Sequence, residues 1–72
     1  MVDPRDEAAE TLERLAAELE LAARHCRTAA GHYRQREVPR ASAHLLAAHG
    51  HLHRAQHGLD TLAEQHADHS SP

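Results

Sequence analysis

The sequence predicts an all-α protein: an antiparallel two-helix hairpin, about residues 4–36 and 39–67, that dimerises into a four-helix bundle. Three observations carry this. Two stretches share one heptad rhythm, a proline separates them, and their large and small residues match when one stretch is folded onto the other. The first stretch reads Ala8, Leu12, Leu15, Leu19, Ala22, Cys26, Ala29, Tyr33. The second reads Ala41, Leu45, Ala48, Leu52, Ala55, Leu59, Leu62, His66. Alternating steps of three and four are the seam spacing of helices packed on helices.

Helix one has a strong start. Asp3 can cap, Pro4 suits the first helical position, and Asp6 sits where a capping-box acid would. Asp6, Glu7 and Glu10 complement the positive end of the helix dipole. Glu10–Arg14 and Glu20–Arg24 are favourable i,i+4 pairs. A helix from Pro4 to Arg36 spans roughly 50 Å at about 1.5 Å per residue.

Pro39 disfavours a helical Val38 and lacks a donor for an earlier carbonyl, but it can open a new helix. Glu37-Val38 therefore reads as a tight turn, with one long helix kinked at Pro39 as the alternative. Each of Gly31, Gly50 and Gly58 weakens a helix by about 1 kcal/mol relative to alanine. The chain reads as a single domain over 1–72, with 68–72 expected to be a disordered tail.

Around the turn, Tyr33-Arg34-Gln35-Arg36-Glu37-Val38-Pro39-Arg40-Ala41, followed by Leu45 and Ala48, resembles a tetratricopeptide repeat. These residues match the end of the repeat's first helix, its turn and the start of its second. The glycine usual in that turn is Arg36 here, and no second copy of the repeat follows. The resemblance implies a helix–turn–helix hairpin and nothing about peptide binding.

Folding about Val38 pairs Ala29 with Leu45, Cys26 with Ala48, and Ala22 with Leu52. It also pairs Tyr33 with Ala41, Leu19 with Ala55, Leu15 with Leu59, Leu12 with Leu62, and Ala8 with His66. Large faces small in most layers, which fills space without voids. Cys26 then sits on the seam as a small buried apolar group, and Tyr33 caps the core beside Ala41. One edge carries Ala9, Ala16, Ala23 and Ala30 against Ala63, Gln56, His49 and Ser42, small enough for another helix to approach. An apolar face this wide suits more than two helices, and a two-fold dimer is the simplest completion. Leu46 stays outside.

The other edge carries His25 and His32 facing His51 and His44. The fold-back makes two pairs, His32 with His44 and His25 with His51, about 10 Å apart. Each could give two imidazoles to Zn²⁺, Ni²⁺ or Cu²⁺. His49, His53 and His57 form a second group at i,i+4 spacing. No HExxH, Glu-x-x-His or paired-cysteine motif accompanies them. Half-buried polar filling is their plain role, and acid-driven repulsion is a further one.

Composition bounds the rest. A chain of 72 residues rarely buries enough core to stand alone without a staple or a partner. One cysteine leaves no internal disulfide. No apolar run reaches the length of a membrane span, and no signal peptide is visible, so the expected compartment is the cytoplasm. The net charge of −3 does not suit a polycation for nucleic acid, although nine histidines would reverse its sign in acid. Arg24, Arg27, Arg34, Arg36 and Arg40 make the turn end basic. Asp6, Glu7, Glu10, Glu13, Asp60, Glu64 and Asp68 make the open end acidic. No phosphate loop or activated nucleophile is present.

The functional expectation is a small non-enzymatic interaction or scaffold protein that binds itself, or another helical protein, through its heptad seams, with no cofactor required. A histidine-rich metal-binding bundle is the alternative. A regulator touching protein or nucleic acid through the arginine end is a second one.

Overall fold

A computed structural model describes the backbone of residues 1–70 and the side chains of residues 1–67. It contains two helices, α1 (Pro4–Arg34) and α2 (Val38–Ser70), packed against each other along their length. The expected hairpin is therefore present, and the single kinked rod is not. The tail expected at 68–72 falls outside the residues whose side chains are described, and α2 is assigned through Ser70.

The start of α1 follows the sequence reading. Asp3 Oδ1 accepts from the backbone N–H of Arg5 at 2.8 Å, and Pro4 opens the helix. The Asp3 carbonyl accepts the first ordinary helical bond from Glu7 N–H and also one from Asp6 N–H, a donor that would otherwise be orphaned. Arg5 also reaches back to the Asp3 carboxylate at 3.0 Å and holds its carboxyl below the ordinary range. Arg14 bonds Thr11 Oγ1 at 3.2 Å rather than pairing with Glu10.

The turn differs in detail from the expectation. α1 stops at Arg34, two residues early, and α2 begins at Val38 with Pro39 second. Proline fits there because the first helical turn has no acceptors for its N–H groups. Arg36 takes φ 62°, the left-handed position. Its N–H donates to the Tyr33 carbonyl at 3.0 Å, and the Glu37 N–H donates to the His32 carbonyl at 2.8 Å. This is a complete Schellman closure, built on an arginine where glycine is the usual choice. The Glu37 carbonyl, just before α2, then accepts from Ala41 N–H at 3.0 Å.

The seam itself is made of alanine. Ala22, Ala29, Ala41, Ala48 and Ala55 are the buried residues, Ala41 and Ala55 completely. The matching layers exist, but they do not interdigitate as the fold-back suggested. In the layers that hold Ala22, Ala29, Ala41 and Ala55 the alanine goes inside and the large partner stands on the flank: Leu52, Leu45, Tyr33 and Leu19 are all exposed. Cys26, expected in the seam, is exposed as well. Small side chains let two helices approach closely, which leaves no space between them for leucine.

A helical wheel gives the geometry. The buried alanines form one row, the leucines lie about 60° to one side, and the histidines lie about 60° to the other. The hairpin is thus a thin plate, 55 × 23 × 13 Å, with a leucine face and a histidine face. Leu15 and Leu62 are half-buried near the open end. There Gly58 occupies the register after His51, where an added Cβ would lie 2.5 Å from Leu15 Cδ2. Glycine lets Leu15 fold across α2 at that level.

Candidate functional site

The histidine face is the most organised polar feature among the described residues. His25 and His32 lie two turns apart on α1, and His44 and His51 lie two turns apart on α2. Their rings interleave into one ladder instead of two separate pairs. His32 stacks on His44 with centroids 5.5 Å apart and planes at 19°. His44 meets His25 at 5.1 Å, tilted by 33°. His25 stacks on His51 at 5.5 Å and 10°. Both expected pairings are present, and the new contact, His25 with His44, joins them.

That central contact is a hydrogen bond. His25 Nδ1 and His44 Nδ1 lie 2.9 Å apart. One nitrogen must donate and the other accept, so one proton sits between them. The stacked pairs on either side hold their rings nearly parallel, at 10° and 19°.

Each end of the ladder finishes on a carboxylate. Glu18 Oε2 lies 2.5 Å from His51 Nδ1. Such a short contact needs a proton on the line, so His51 presents Nδ1–H to the carboxylate. Arg54 Nη2, a donor 3.0 Å from the same nitrogen, then has nothing to bond there. Its useful contact is Nε to Glu18 Oε1, at 3.5 Å. The His51 hydrogen bond holds the Glu18 carboxyl below the usual range, against the opposing effect of burial and with help from the Arg54 charge. At the other end His32 Nδ1 lies 3.6 Å from Glu37 Oε1, and Arg40 bonds Glu37 Oε2 at 2.9 Å. The Arg40 charge is thereby spent on its neighbour, which reduces the basic turn end.

Neither carboxylate was picked out from the sequence. Glu18 was findable, because it stands seven residues before His25 and fourteen before His32, on the same face. Glu37 lies between the two helices, where no helical periodicity aims its side chain.

Among the described residues no group of three or more histidine, cysteine or acidic side chains is arranged to hold a metal ion. His49 and His53 stack at 6.5 Å on the exposed side of α2, with His57 exposed one turn on. On the remaining edge Ala9, Ala16, Ala23, His49, Gln56 and Ala63 are exposed, and Ala30 and Ser42 are half-buried. Gln56 donates to Asp60 at 2.9 Å.

The fold defines an all-α helical hairpin, and among the described residues no helix is long and apolar enough to cross a membrane. No known family, curated protein or solved structure matches the chain.

Proposed function

We propose that this protein is a non-catalytic helical interaction module that works as a homodimer, two hairpins packed leucine face to leucine face in a four-helix bundle. The observation that carries this is the uncovered leucine row. Leu12, Leu19, Leu45, Leu52 and Leu59 are 37–51% exposed, all on one side of the alanine seam. Leucines scattered over a surface need no explanation, but a continuous apolar face does.

The area agrees with one missing partner. The hairpin exposes 5819 Å². A compact monomer of 8.0 kDa would expose about 4,450 Å², so the excess is about 1,400 Å². A standard interface takes about 800 Å² from each partner, and permanent homodimers take more. The radius of gyration supports the same reading: 16.5 Å, against about 11 Å for a globule of this length.

Self-pairing is favoured over a different partner by charge. The basic turn end and the acidic open end of one hairpin complement the reversed ends of a second copy, as an antiparallel two-fold dimer requires. The Ala9, Ala16, Ala23 and Ala30 edge lies beside the leucine row and lets the second hairpin approach closely. Light scattering of the purified chain tests this. A dimer that dissociates in Leu45→Asn/Leu52→Asn is expected, and a monomeric wild type that captures a different helical protein would replace the reading.

A further inference from the structure

The histidine face lies opposite the leucine face, so a second copy seated on the leucines leaves it open. We propose that His25 and His44 form a binding site for one late divalent transition-metal ion of the Cu²⁺, Ni²⁺ or Zn²⁺ class, held by their two Nδ1 atoms. The inference stands apart from the dimer, because both ligands come from one chain.

Convergence singles out this pair. Of the three ring contacts across the hairpin, only this one points nitrogen at nitrogen, at 2.9 Å. Two nitrogens on a tetrahedral ion with bonds of about 2.0–2.1 Å stand about 3.3 Å apart. The nitrogens must therefore part by about 0.4 Å, and each ring must swing so that its lone pair leaves the N–N line by up to about 35°, movements within the reach of side-chain torsions. The centroids lie 5.1 Å apart, close to the 2.9 Å contact plus one ring radius at each end, so the two nitrogens face each other nearly head-on.

The neighbours hold both rings in place. His51 stacks on His25, and His32 stacks on His44. Glu18 fixes His51 in turn, and Glu37 lies beside His32. Rings restrained by their neighbours have less freedom to lose when they bind, which is the usual service of groups around a metal site.

The chemistry balances without a redox step. Both rings bind as neutral imidazoles. The proton now between the two Nδ1 atoms moves to Nε2 of its own ring through solvent, so no net proton is released. Two protein donors leave the remaining positions to water. Imidazole donors with water select copper, nickel and zinc over magnesium or calcium, with Cu²⁺ bound most tightly.

The test is titration of the full chain, purified with chelator and then freed of it, with CuCl₂, NiCl₂ or ZnCl₂ alone. Calorimetry and native mass spectrometry follow the binding. One ion per chain is expected, with affinity falling at least about tenfold in His25→Asn or His44→Asn. It should change less than about threefold in His49→Asn/His53→Asn/His57→Asn, which leaves the ladder intact. Circular dichroism checks that each variant stays helical. A measurement on the wild type alone guards against variants that unfold: Zn²⁺ should shift the ¹⁵Nδ1 resonances of both His25 and His44. Absence of uptake at micromolar metal, equal binding by the His25→Asn/His44→Asn variant, or a shift confined to His49 and His53 would overturn the assignment.

Discussion

Replacing Leu45 and Leu52 together by asparagine separates the two jobs a leucine can do in this chain. Each is 51% exposed, so the hairpin uses about half of its apolar surface and leaves half for a partner. Burying a whole leucine is worth about 2 kcal/mol, and the uncovered half about 1 kcal/mol. A symmetric dimer covers four such side chains, so the double substitution should weaken it by about 4 kcal/mol, or about 10³-fold in Kd. Sedimentation equilibrium over a concentration series measures this directly, with helicity followed in parallel. A variant that self-associates as tightly as wild type would refute the leucine face as the interface. Leu15 is the wrong choice for this purpose: it is half-buried and packs across Gly58, so Leu15→Asp damages the hairpin as well as any assembly.

Three further outcomes follow from the same geometry. Arg36→Gly should stabilise the hairpin by about 1 kcal/mol, because the residue sits at φ 62°, where a side chain is strained; the shift in denaturation midpoint reads it out. Ala48→Leu should destabilise by about 1–3 kcal/mol, since Ala48 is buried in the seam and the added carbons overpack it; thermal unfolding checks it. Glu18→Gln should flatten the acid limb of stability. The Glu18 carboxyl titrates lower in the folded chain than in the unfolded one, so its contribution is complete above the ordinary carboxylate range and disappears as pH falls through the lowered value. Urea midpoints of wild type and variant should therefore differ at neutral pH and converge in strong acid.

The helices and the start of α1 were legible because local chemistry decides them, but the turn was legible only in place, since Val38, expected within it, opens α2. Asp3 and Pro4 set one end, and Pro39 sets the break. The rotation of the helices was not legible. A three-and-four spacing fits a seam of alanines flanked by leucine on one side, and fits equally one flanked by histidine on the other. Hydrophobicity favours leucine inside, but the alanines bring the backbones too close for it. The leucines are left on the flank of the seam, where the proposed dimer would cover them. The histidine pairs were legible from the fold-back, which places 32 opposite 44 and 25 opposite 51. Their fusion into one ladder was not, because the His25–His44 contact depends on how far each ring leans along its helix. The Arg36 conformation was hidden for a different reason: arginine rarely takes the left-handed position.

The mass of the full chain in solution tests the central claim most directly. Light scattering at tens of micromolar should give about 16 kDa, twice the 8.0 kDa of one chain. A stable, helical species of one-chain mass at that concentration would contradict the leucine-face dimer.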